Sequence, residues 1–302
     1  MSILNFGKRK ERRAELLHEE GMALSDSGDN SAAIEKYLQA IKLNPKRSTS
    51  LYNLGLIYKY RGDWKKSLEF NQRAYEVSSD DESTRWNLAI AATALNQWNI
   101  ARAMWKDQGL ELDDESGPIQ MNLGMTPVRL NPDTDGEVVW ATRIDPVRAR
   151  IENIPLPSSG FRCGDIVLHD GAPVGHRVAN GQEYSVFNVL ELYESSGLGT
   201  FRARVVAKGP EPIESLQQLF EESGLELEDW TQNIRQLCRQ CSEGTPHEHH
   251  DRELETEDWL EERELGISAI EEEKITKLLK EWATKFDSQL IDVACEQPPK
   301  EN

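Results

Sequence analysis

The chain of 302 residues carries 53 acidic and 35 basic side chains, a formal net charge of −18 that disfavours nucleic acid and anionic membranes as partners. Its length allows two or three domains, and no run approaches the ~18 apolar residues of a membrane span. Only Cys238 and Cys241 of four cysteines are close in sequence, and the basic opening Met1 to Lys10 lacks the apolar core of a secretory signal, so we read a protein of a reducing, cytoplasmic compartment.

The elements begin with a basic lead-in at residues 8–13, which extends the first helix. From Ala14 to about Asp114 the chain repeats itself every 34 residues. Gly21, Gly55 and Ala89 are one period apart, as are Ala33, Ser67 and Ala101, and Tyr37, Asn71 and Trp105. Gly28, Gly62 and Asn96 keep the same step, and Gly28-Asp29 and Gly62-Asp63 mark inner turns. Small residues at fixed offsets belong where paired helices approach most closely, and the large ones fill the gap to the next repeat. Helices are therefore predicted at 14–26, 48–60 and 82–95, each followed by a partner at 30–43, 64–77 and 98–110.

On these residues the segment resembles the tetratricopeptide (TPR) repeats. The first unit has Leu17, Gly21, Leu24, Ala33, Tyr37 and Ala40 and closes on Asn44-Pro45. The second keeps Leu51, Leu54, Gly55, Tyr58, Ser67 and Ala74 but has Asn71 for a large residue and Ser79 for the proline. The third keeps Leu88, Ala89, Ala101 and Trp105, with Arg85 where an apolar residue is usual. The resemblance implies an α-solenoid whose first helices line a concave groove. Its groove positions would be His18, Met22, Tyr52, Asn53, Leu56, Tyr60, Trp86, Asn87 and Ile90. Rigid aromatics and two asparagines suit an extended peptide, although a neighbouring domain or the chain's own tail could fill the same strip. TPR modules that grip the acidic end of heat-shock chaperones use a basic and asparagine clamp. Asn53 fits it, whereas Met22 and Asn87 replace other clamp residues.

Ser116-Gly117-Pro118 ends the helical pattern. Short runs at 138–144, 147–154, 165–169, 184–194 and 200–207 then alternate with turn signals such as Asp170-Gly171 and Asn180-Gly181. Val147, Ala149 and Ile151 alternate with Arg148 and Arg150, and Phe201, Ala203 and Val205 with Arg202 and Arg204. We read a small antiparallel β barrel or curled sheet whose outward arginines could meet RNA or an acidic partner. His169 and His176 have no serine or cysteine motif beside them and read as surface histidines.

Residues 211–302 read as a helical domain. They hold nine basic and 25 acidic groups, which would favour a basic partner or simply keep the protein soluble. Ile213, Leu216 and Phe220 form one apolar face; Leu227, Trp230, Ile234, Leu237, Cys238 and Cys241 form the next. A capping box at Ser268 and Glu271 opens a last helix with Ile275, Leu278, Leu279, Trp282, Phe286 and Leu290 inward. Between these helices Cys238, Cys241, His247, His249 and His250 fall within fourteen residues. Two sulfurs and two imidazole nitrogens suit a closed tetrahedral Zn²⁺ site, with Cys238, Cys241, His247 and His250 as ligands and His249 as alternate. The alternative is that the cysteines continue an apolar helix face and the histidines are solvated.

The expected architecture is α+β and multidomain: TPR-like repeats at 1–114, a β-rich domain at 115–210 and an acidic helical domain at 211–302. No complete catalytic motif is present. The leading expectation is a non-enzymatic adaptor, possible sub-roles being an acidic inhibitor or an antitoxin-like neutraliser. Alternatives are a metal-dependent hydrolase with Glu243 or Glu248 as base and an RNA-binding module on the strands.

Overall fold

The computed structural model describes residues 3–113, 115–134, 136–179, 181–233 and 259–300. The chain divides into two compact units, Met1–Gln120 and Met121–Asn302.

The first unit is a stack of three helical hairpins: α1 (Ile3–Asp26) with α2 (Asn30–Leu43), α3 (Ser48–Tyr60) with α4 (Trp64–Val77), and α5 (Glu82–Ala94) with α6 (Trp98–Asp107). Three of the helix starts are set by aspartates. Asp29, Asp63 and Asp81 accept from the backbone N–H of Ala32, Lys66 and Thr84, satisfying donors that the first helical turn leaves open. Gly28, Gly62 and Asn96 all have positive φ, at 86°, 68° and 56°, so one left-handed residue ends the first helix of every hairpin. A β-carbon at Gly21 would lie 2.7 Å from the Tyr37 ring, and one at Gly55 would lie 2.5 Å from the Asn71 amide. The small and large offsets of the repeat are thus two sides of one contact. Asn71 answers a narrower gap, tied to the Ser67 carbonyl at 2.9 Å while Ser67 Oγ donates to Gly55 O at 2.9 Å.

The second unit opens with β1 (Met125–Leu130), β2 (Glu137–Arg143), β3 (Arg148–Ile151), β4 (Ile166–Ala179) and β5 (Gln182–Glu194). Neighbours in sequence pair antiparallel, and β5 returns to β1 in parallel, which closes the strand order. The sheet is therefore mixed where a wholly antiparallel one was expected. Val128, Leu130, Val139, Ala141, Ala149, Ile151, Val167 and Val189 fill its interior. Asp170-Gly171 is no turn: β4 runs through it, with register shifts between Leu168 and Gly175 where glycine and proline interrupt the ladder.

The remainder corrects the expectation of a helical third segment. β6 (Gly199–Val206) leaves the first sheet and joins β7 (Glu226–Asp229), β8 (Glu262–Ala269) and β9 (Gln289–Gln297) in the order β7-β8-β6-β9. Helices α7 (Pro210–Glu222) and α9 (Glu272–Lys285) cover one face, and α8 (Trp230–Asn233) is a single turn after β7. β6 pairs with β8 and β9, neither of them its neighbour in sequence, while β7 pairs with the next strand, β8. Phe201, Ala203, Val205, Leu265 and Ile267 meet Ile213, Leu216, Phe220, Leu279 and Trp282 in its core. The proposed capping box fails because Ser268 lies within a strand, and Glu271 precedes α9 without a side-chain cap bond. Leu227 and Leu290 lie on strands rather than helices.

Candidate partner-binding site

The expected groove residues divide by how firmly they are held. His18 is buried, its Nδ1 2.9 Å from Ser50 Oγ and its ring 5.5 Å from that of Tyr37. Burial, then the Arg47 charge, holds its pKa below the usual histidine value, against the opposing pull of Glu15. Arg47 itself grips Glu15 with two bonds of 2.8 Å across successive hairpins. Asn53 donates to the Tyr37 hydroxyl at 3.0 Å, and Trp86 stands edge-on to Trp105 at 4.8 Å. Asn87 and Ile90 are buried. These five side chains are committed to the stack.

The others are more open. Met22 is 40% and Tyr60 62% exposed, while Tyr52 and Leu56 are half-buried. Lys59, which is buried, places its ammonium 4.5 Å from the Tyr60 ring centre. Its position seven residues after Tyr52 and three after Leu56 puts it on the same helix face, a spacing visible in the sequence.

In the second unit His169 is fully buried, not a surface residue. Its Nδ1 donates to the Asp170 carbonyl at 2.8 Å, its ring lies 5.1 Å from Phe187, and its Nε2 has no hydrogen-bond partner. Burial foremost lowers its pKa to about 4. His176 stays near the surface, 3.7 Å from Glu183. The arginines weighed for RNA face carboxylates instead: Arg148 with buried Asp145, Arg202 with Glu264, Asp292 and Glu296, and Arg204 with Asp292. Cys238, Cys241, His247, His249 and His250 lie outside the described residues. Among the described residues, no helix is long and apolar enough to cross a membrane, and no other group of histidine, cysteine and carboxylate could hold a metal.

Residues 21–62 match the family model described as TPR repeat. Over 84 residues the chain is 33% identical to the photosystem I assembly protein Ycf3 of Prochlorococcus marinus, a span of 27% of this chain and 49% of that protein. Over 85 residues it is 29% identical to the same protein of Rippkaea orientalis, with the same coverage. The chain spans about half the length of the curated relatives it matches. Among solved structures it is similar to the Arabidopsis OM64 TPR domain, with a TM-score of 0.31 and 18% identity over 32% of this chain and 81% of that one. It is also similar to the second TPR of Spaghetti bound to the HSP90 peptide SRMEEVD, with a TM-score of 0.32 and 16% identity over 34% and 90%. On its 34-residue step, its stacked hairpins and the matched model, the N-terminal region of this chain belongs to the TPR repeat family.

Proposed function

We propose that the chain is a non-enzymatic interaction protein whose first helices receive a segment of another protein. The observation that carries this reading is that Met22 and Tyr60 stay exposed, with Leu56 half-buried and Tyr52 partly packed on the hairpin core, on helices whose other expected groove residues are locked into the stack. A rigid scaffold presenting adaptable aromatic and thioether surface is what peptide capture needs. Relatives described as assembly proteins support a role in bringing other proteins together. The test replaces Met22, Leu56 and Tyr60 together by alanine, leaving Asn53 and Trp86 intact because both brace the stack. A partner co-purifying with the native chain should be lost while the helical content is retained; undiminished capture would move the site elsewhere.

A second reading concerns the acidic segment. The 25 acidic groups after residue 210 favour a basic partner, which this segment would neutralise as an inhibitor does. Complex formation should then weaken steeply as salt rises, and salt-insensitive binding would count against it. We also propose a structural Zn²⁺ on Cys238, Cys241, His247 and His250, with His249 as alternate, on the chemistry of that donor set.

A further inference from the structure

β9 is unlike the other strands of its sheet. None of its nine residues is buried, although it includes Leu290, Ile291, Val293, Ala294 and Cys295. Ile291 is 39% exposed. On one side β9 pairs with β6, and among the described residues no strand pairs with its outer edge. The opposite edge of the sheet is protected by being short: β7 has four residues, three of them acidic, before the chain turns away at Trp230. β9 has no lysine, arginine or proline between Gln289 and Gln297 to deter a further strand. Its register shifts, at Ile291 and Glu296, leave a regular stretch from Asp292 to Cys295.

We propose that this outer edge pairs with the same edge of a second copy of the chain, antiparallel, about a two-fold axis at Val293. The register follows from symmetry and charge. Adjacent pairs in an antiparallel ladder alternate in kind, so a two-fold axis must pass between one residue and its own copy. Centring on Asp292 sets two carboxylates face to face. Centring on Ala294 puts Asp292 opposite Glu296 of the second copy. Centring on Cys295 runs the ladder into Pro298 and Pro299, which have no N–H to donate. Centring on Val293 avoids all three. Asp292 then faces Ala294, Glu296 faces Leu290, and the two valines meet.

The helix above supports the same occupant. Leu290 and Val293 pack against the core that holds Leu279 and Trp282 of α9, so α9 lies on their side of the sheet. Its first turn carries Glu272 and Glu273, with Lys274 donating to the Ser223 carbonyl, while Lys277, Lys280, Glu281 and Lys285 follow along its length. A two-fold axis normal to the sheet runs the two copies of α9 in opposite directions. The acidic first turn of each is then alongside the lysines of the other, an arrangement that opposes parallel association and favours this one.

The experiment is light scattering on the full chain across a concentration series, with reductant. The mass should double as concentration rises, and a monomer throughout would overturn the proposal. Val293→Cys tests the register: on mild oxidation it should give a covalent dimer whose bridge maps to position 293 of both chains. A dimer with no such bridge places the interface elsewhere and also overturns it. Val293→Lys should return the dimer to monomer with its circular dichroism unchanged; should that variant unfold, the cysteine variant decides alone.

Discussion

Trp230 lies flat over Gly266, so close that a β-carbon on that glycine would overlap the indole. The indole Nε1 reaches the Ile154 carbonyl at 3.3 Å, and Ile154, Cys163 and Trp230 form a small core of their own. A glycine in the middle of β8 is therefore the seat of the side chain that joins the two sheets of the second unit. Gly266→Ala should destabilise that unit by about 1–3 kcal/mol, since the ring must move or leave its carbonyl. Denaturant unfolding followed by tryptophan fluorescence would check it, an unchanged midpoint counting against the contact.

The same logic applies to the hairpin stack. Gly21→Ala pushes a methyl group against the Tyr37 ring, and Gly55→Ala pushes one against the Asn71 amide. Each should lower stability by about 1–3 kcal/mol despite alanine's higher helix propensity, which alone would act the other way by about 1 kcal/mol. Gly7→Ala meets nothing within 4 Å and should show only the propensity gain. Thermal unfolding of the three variants separates packing from propensity.

His169 should shape the acid limb of stability. Its folded pKa of about 4 lies below the ordinary 6.5, so the unfolded chain binds a proton more readily. Stability is fully present above pH 6.5 and falls as pH drops towards 4, by about 3 kcal/mol from this residue. His169→Gln should flatten that decline. Unfolding midpoints measured across the interval would reveal it, and parallel curves for the two proteins would remove His169 from the account.

Metal analysis addresses the Cys/His segment. The purified chain should carry about one zinc, and Cys238→Ser with Cys241→Ser should abolish it. Helical content should fall on chelation. Zinc well below one per chain, with an unchanged far-ultraviolet spectrum, would leave those cysteines as ordinary apolar residues.

The first unit was legible because its information is local. A 34-residue step fixes which residues meet, and Gly21 with Tyr37 or Ala89 with Trp105 can be paired by arithmetic. The second unit was only partly legible because its pairing is not local. Thr200–Ala207 alternates visibly and reads as a strand, yet its partners β8 and β9 lie more than fifty residues onward. β8 was missed altogether: charged Glu262, Arg263 and Glu264 mask the buried alternation of Leu265, Ile267 and Ala269. The apolar period of α9 holds through Phe286, which packs on the core, but Leu290 continues the same spacing from a strand. His169 misled because a polar residue at an inward strand position looks, in sequence, like one at the surface. Five groove residues are committed to packing, since the residue types that hold a partner also hold neighbouring hairpins together.

The left-handed residue at Gly28, Gly62 and Asn96 recurs although its identity does not. What is inherited from hairpin to hairpin is thus a bend, and whatever residue can adopt it is admissible. A solenoid built on an inherited bend has no intrinsic length. Residues 48–81, duplicated in tandem, should splice in as a fourth hairpin and lengthen the receptive surface by one increment, leaving the existing contacts as they were.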